Sequence, residues 1–212
     1  ESQTAQLLGG LPKDPHLHVA YRAHFPTIQV SLHVEDPDAE AAQTLLRSAA
    51  DTVRTALGPL VYAESPDAEA TLAEAVAATL RQRGETVALA ESCTGGLVSS
   101  YLTDIAGSSA FFIEGFVTYA NAAKMARLGV DAALLAEHGA VSEACARAMA
   151  EGSRAAANTT WAVSVTGIAG PGGATADKPI GTVHFAVTGP GGASHHQRRF
   201  PFDRARNRIV SA

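Results

Sequence analysis

The chain has 212 residues, enough for one large domain or a medium domain with a small one, and 46% hydrophobic against 17% charged residues marks a packed globule, not a disordered or coiled-coil chain. Its two cysteines, Cys93 and Cys145, lie far apart with no C-x-x-C spacing; this excludes a disulfide framework and a cysteine zinc site, so a reducing, cytoplasmic setting is expected. No apolar run approaches the roughly 20 residues of a membrane helix and no signal-peptide pattern opens the chain, so no membrane partner is expected.

The charge is unevenly spread. Residues 1–67 carry four basic side chains (Lys13, Arg22, Arg47, Arg54) against nine acidic ones, a balance of −5, while residues 68–212 carry twelve of each. Five of those twelve basic residues (Arg198, Arg199, Arg204, Arg206, Arg208) crowd into eleven positions near the end. An acidic first segment argues against a phosphate-backbone binder, and a local arginine cluster on a neutral domain fits a small anionic ligand.

In chain order, residues 1–13 have mixed polarity with a Gly9-Gly10 break and read as a connector. Apolar alternation at Leu17, Val19 and Tyr21 predicts a strand, and Ile28, Val30, Leu32 and Val34 predict a second. Asp36-Pro37 offers an N-cap with proline at the first helical position, opening a helix to about Leu57. Gly58-Pro59 stops it, and Leu60-Val61-Tyr62 predicts a third strand. Residues 14–66 thus read as a small α+β domain. Ser65-Pro66-Asp67 repeats the capping device before a helix whose apolar face is Leu72, Val76 and Leu80, closed by Gly84.

From residue 67 to 212, strand and helix patterns alternate. Strands are expected at Thr86–Ala90, Phe112–Tyr119, Trp161–Val165, Gly181–Val187 and His195–Phe200. Helices are expected at Gly96–Ile105 and Asn121–Leu128, after the caps Asp131 and Ser142, and from about Asp203, the last still running at Ala212. The fold class that follows is α/β, a sheet covered by helices on both faces.

The strongest local feature is a strand, then Glu91-Ser92-Cys93-Thr94-Gly95-Gly96, then a helix. Ligands of open α/β sheets sit where strand ends feed helix N-termini, and glycines there let backbone amides approach an anion or a developing oxyanion. The plainer reading is a tight turn with capping hydroxyls, since neither G-x-G-x-x-G nor a Walker loop is present. A second glycine-rich turn, Thr166-Gly167-Ile168-Ala169-Gly170-Pro171-Gly172-Gly173, also follows a strand. Two such turns can wall one pocket; a long loop explains Pro171–Asp177 but not Thr166–Gly170. Lys124, the only lysine between Lys13 and Lys178, lies where a third strand turns into a helix. Most lysines are solvated surface charges. A hydroxyl nucleophile without a histidine triad nevertheless needs a base, and a lysine with a depressed pKa serves. The eight histidines include His16/His18 on one strand face and adjacent His195-His196, but no H-x-x-x-H pair, so no metal is expected. Cys93 is read as a buried thiol and Trp161, Phe111 and Phe112 as core; Glu91 and Asp104 form no evident carboxylate pair.

Ala90–Gly96, Asp104-Ile105-Ala106-Gly107-Ser108-Ser109, Gly115-Phe116-Val117-Thr118-Tyr119 with Asn121, His138–Glu143, Thr166–Pro171 and Lys178–Val183 together closely resemble the CinA C-terminal domain. The match is dense over about residues 68–208. The resemblance implies deamidation of nicotinamide mononucleotide to nicotinic acid mononucleotide and ammonia, without a metal or other cofactor, by a homodimer. It implies a serine–lysine pair at Ser92 and Lys124. The substrate pocket would comprise Thr94, Gly95, Gly96, Tyr119, Thr166, Gly167, Ala169, Gly170, Arg204 and Arg208. Residues 14–64 resemble the middle, KH-type domain of full-length members. Those begin with a further domain similar to molybdopterin-binding proteins and associated with ADP-ribose pyrophosphatase activity. The resemblance makes this chain a fragment without that domain and without the end of the last helix.

Two other functions compete with the amidohydrolase. A nucleotide-binding module without turnover would keep the glycine turns, and only Ser92 and Lys124 together speak against it. A nucleic-acid or protein adaptor would act through the KH-type segment. That segment lacks a G-x-x-G loop (Gly58-Pro59-Leu60-Val61 comes nearest) and is acidic, so nucleic-acid binding is not expected. Ammonia release discriminates among the three.

Overall fold

The computed structural model describes residues 2–65 and 70–212. The chain divides into two compact units, the second starting at Ala73.

In the first unit, the stretch expected as a connector contains a short helix, α1 (Ser2–Leu7). The two predicted strands form an antiparallel hairpin, β1 (Leu17–His24) and β2 (Thr27–Val34), paired from Leu17↔Val34 to His24↔Thr27. His16 and His18 are exposed, as expected. Helix α2 (Ala39–Leu57) packs on β2. Its cap is Asp38, not Asp36: the Asp38 carboxylate accepts from the Glu40 and Ala41 amides, while Asp36 accepts from the Asp38 amide and shapes the turn before it. The third strand does not form. Gly58–Leu60 closes a 3₁₀ turn, with the Val61 amide bonded back to the Gly58 carbonyl, and Leu60 is 70% exposed. Pro59 has no amide to give a ladder, and the turn bond takes the Val61 amide.

The second unit opens on α3 (Leu72–Arg83); its expected cap includes Pro66 and Asp67, which lie outside the described residues. The core-facing stripe of α3 is Ala77 and Leu80 with the half-buried Ala73, whereas Leu72 and Val76 are exposed. The helix therefore turns Ala73, Ala77 and Leu80 to the core. The sheet has order β4-β3-β5-β6-β7, from strands β3 (Val87–Glu91), β4 (Phe112–Val117), β5 (Trp161–Gly167), β6 (Thr182–Gly189) and β7 (Gly192–Arg199). Strand β3 runs parallel to both neighbours, and β6 and β7 return antiparallel.

Helices cover both faces, as the alternation of side chains along β3 requires. Leu89 packs with Leu80, Leu102 and Phe111 on the side of α3 and α4 (Leu97–Thr103), where Trp161 and Phe112 join them. Ala90 packs on the other side with Leu128, Leu135, Cys145 and Met149 of α5 (Asn121–Leu128), α6 (Ala132–His138) and α7 (Glu143–Ala157). Asp131 and Ser142 cap α6 and α7 as expected, accepting from Ala133 and Cys145 amides. Gly152 of α7 is obligatory, because a Cβ there would lie 2.0 Å from the Leu128 carbonyl oxygen. Helix α8 (Arg204–Val210) is capped by Asp203, and the Ser211 hydroxyl donates to the Asn207 carbonyl at 2.6 Å. No helix among the described residues is long and apolar enough to cross a membrane.

Candidate active site

The parallel run of β4, β3 and β5 brings three strand ends to one edge of the sheet. The ladders continue one residue past β3: Ser92 N–H donates to Val165 O and Thr118 N–H to Glu91 O, both at 2.9 Å. Ser92, 8% exposed, is thus held between its neighbours by main-chain bonds. Lys124 stands in the first turn of α5 and is 1% exposed. Its Nζ lies 3.1 Å from Ser92 Oγ and donates to the carbonyls of Thr118 (2.7 Å) and Tyr119 (3.2 Å). Burial pushes the Lys124 pKa below its usual value, because removal from water penalises the ammonium. A neutral amine has two N–H groups, and the two carbonyls hold both, which leaves its lone pair for the Ser92 hydroxyl. Cys93 is different: burial raises its thiol to about 11, so it stays protonated at neutral pH.

Two amides of the turn after Ser92 are engaged within the protein. Gly95 N–H donates to Ser92 O, and Gly96 N–H donates to the Glu91 carboxylate at 2.9 Å. Glu91 also accepts from Val98 N–H, Ser99 N–H and Ser99 Oγ. The amide of Gly96, expected to face a ligand, therefore faces a buried carboxylate. Both glycines have positive φ, +63° at Gly95 and +97° at Gly96, which side chains resist. Sequence reasoning set Glu91 aside; a glutamate ending a wholly apolar strand was the available signal.

The second turn and α8 close on the first. Thr166, 1% exposed, gives its hydroxyl to Ala140 O at 2.7 Å, anchoring the loop after α6. Gly167 packs so tightly that a Cβ would meet Thr182 O at 2.8 Å. Arg204 donates to Gly170 O (2.6 Å) and to the Tyr119 hydroxyl (3.0 Å), while Arg208 donates to Thr94 O (2.9 Å). Between them Asn207, 1% exposed and absent from the sequence-based set, donates to Ala169 O and Phe202 O. Direct bonds thus join Ser92 to Lys124, Lys124 to Tyr119, Tyr119 to Arg204, Arg204 to Gly170, and Thr94 to Arg208. Thr166 and Gly167 sit at the neighbouring strand end, with the Thr166 hydroxyl already engaged. Among the described residues no three His, Cys, Asp or Glu side chains gather as around a metal ion.

Residues 69–212 match the family described as CinA C-terminal domain. The chain belongs to the CinA family. Residues 1–63 match the damage-inducible protein CinA KH domain, so the CinA C-terminal domain is preceded by the CinA KH domain. A CinA-like protein of Anaeromyxobacter dehalogenans (strain 2CP-C) is 51% identical over 91% of this chain and 46% of its own length. One from Geobacter sulfurreducens is 46% identical over 100% of this chain and 51% of its own. The chain thus spans about half the length of these CinA-like relatives. Several solved structures share the fold. The competence/damage inducible protein CihA of Agrobacterium tumefaciens is 45% identical at TM-score 0.63, covering 65% of this chain and 85% of that one. A CinA superfamily protein of Escherichia coli is 30% identical at TM-score 0.66, covering 73% and 91%.

Proposed function

We propose that the second unit is a nicotinamide-nucleotide amidase, hydrolysing nicotinamide mononucleotide to nicotinic acid mononucleotide and ammonia. The observation that carries this reading is the buried pair itself, Ser92 Oγ 3.1 Å from Lys124 Nζ. A carboxamide is a poor electrophile, and its hydrolysis needs an activated nucleophile and a cradle for the charged oxygen. Lys124 takes the Ser92 proton as Oγ attacks the amide carbon. The amides of Cys93 and Thr94, next to the nucleophile, receive the oxyanion. The C–N bond then breaks, Lys124 returns the proton to the leaving nitrogen, and ammonia departs from a Ser92 acyl ester. Water, deprotonated in turn by Lys124, attacks that ester; the acid is released and Ser92 recovers its proton.

The substrate phosphate is assigned to Arg204 and Arg208. Glu91 supports this indirectly, since its carboxylate takes the Gly96, Val98 and Ser99 amides that would otherwise attract an anion. A homodimer remains part of the proposal, to be checked by sedimentation. The test of function is ammonia release from nicotinamide mononucleotide, with and without a chelator. Turnover that survives EDTA is expected; loss restored by added metal, or no ammonia at all, overturns the reading.

A further inference from the structure

We infer that Glu91 is a positioning residue that sets where Ser92 stands relative to Lys124, an inference that rests on the amidase reading above. Glu91 ends an entirely buried strand and is itself 1% exposed. A carboxylate in that setting is tolerated only when its lone pairs are filled. Four donors fill them: Gly96 N–H (2.9 Å) and Val98 N–H (3.2 Å) on one oxygen, Ser99 N–H (2.8 Å) and Ser99 Oγ (2.7 Å) on the other. Their amides are those that open α4 and have no partner within it. The side chain thereby ties down the far end of the turn that holds the nucleophile.

The main chain of the same residue ties down the base. Glu91 O accepts from Thr118 N–H at 2.9 Å, and Thr118 O in turn holds Lys124 Nζ at 2.7 Å. One residue is therefore bonded both to the helix after Ser92 and to the segment that seats Lys124. Strand β4 accommodates this: a Cβ on Gly115 would lie 2.5 Å from Ser99 Oγ, so the glycine leaves room for Ser99 to reach the carboxylate. All four partners donate, so only an acceptor on both oxygens satisfies them. A glutamine would set its own N–H groups against at least one donor.

The experiment measures Glu91→Gln and Ser99→Ala in the full chain, by ammonia release and by covalent labelling of Ser92 with a fluorophosphonate. Glu91→Gln is expected to lower kcat about a hundredfold, the scale of a 1 Å misplacement, and Ser99→Ala to lower it less. KM should stay within about twofold of the parent's, since substrate binding is not what Glu91 provides. The labelling rate should fall with kcat while the end point stays at one label per chain, which separates misplacement from misfolding. The acid limb of the pH profile should not move, because Lys124 remains the base. Ser99→Ala keeps the carboxylate and removes one donor, so it tests the inference even if Glu91→Gln does not fold. Labelling of either folded variant at the parent's rate overturns the inference, as does a raised KM with unchanged kcat or a displaced acid limb. If the parent labels but releases no ammonia, the amidase reading fails, and the labelling rates still judge Glu91.

Discussion

The guanidinium of Arg208 donates to the carbonyl of Thr94 at 2.9 Å, joining residues 114 positions apart and laying the last helix on the turn that carries Ser92. Arg204, one helical turn earlier, reaches Gly170 O and the Tyr119 hydroxyl. Each guanidinium has five N–H donors, so these bonds hold the forks in place and leave further donors for an anion. Nicotinamide mononucleotide is accordingly expected to be strongly preferred over its phosphate-free riboside. Arg204→Ala and Arg208→Ala are each expected to lose most of that preference, about 1.5–3 kcal/mol for a charged hydrogen bond. Steady-state kinetics on both substrates measure it. If both variants keep the full preference, the phosphate is held elsewhere.

Ser92 and Lys124 are expected to act as one unit. Each alanine variant should abolish most turnover, and the double variant should be little worse than either single one. With the Lys124 pKa depressed by burial, the base form becomes available below the usual lysine range, so kcat/KM should rise with pH to a plateau reached before that range. A normal rate for Ser92→Ala would move the nucleophile to another hydroxyl.

Cys93 is adjacent to the nucleophile but is expected to be chemically silent. Its thiol is raised to about 11 by burial and packs with Val165, Ala169 and Val183. Cys93→Ala should retain turnover while costing roughly 1 kcal/mol of stability. Iodoacetamide at neutral pH should leave activity intact; rapid inactivation with alkylation mapped to Cys93 would contradict this.

A second polar cluster is expected to contribute to acid sensitivity. His184, 7% exposed, stacks on His195 with Nδ1 2.9 Å from His195 Nε2, and Glu143 lies 3.4 Å from the other His195 nitrogen. Burial first, then His195 and Lys178, hold the His184 pKa below its ordinary 6.5. Between the folded and unfolded values the unfolded chain binds more protons. The stabilisation is therefore complete above the ordinary value and is lost as pH falls through the folded one. Urea unfolding at pH 7.5 and at pH below 6 should show a steeper acid loss for the parent than for His184→Gln. Parallel losses would remove His184 from the account.

The alternation of strands and helices was legible in the sequence, because that pattern is local. Asp131 and Ser142 announce helix starts through their capping oxygens, and the apolar run at 87–90 is buried on both faces wherever its neighbours lie. The motifs of the CinA C-terminal domain were equally legible, since they are contiguous residues. Tertiary structure decided what depends on partners distant in the chain. Leu72 and Val76 have helical spacing, yet Ala73 and Ala77 face the core, because the side of α3 that is covered is set by partners distant in the chain. Leu60-Val61-Tyr62 has strand composition, yet a turn bond and a proline deny it a ladder. The 3.1 Å between Ser92 and Lys124 spans 32 positions, and only the parallel pairing of β3 with β4 creates it. Glu91 shows the same limit: its sequence position reveals an acid beside a serine, but its role arises from four donors that α4 turns toward one buried carboxylate.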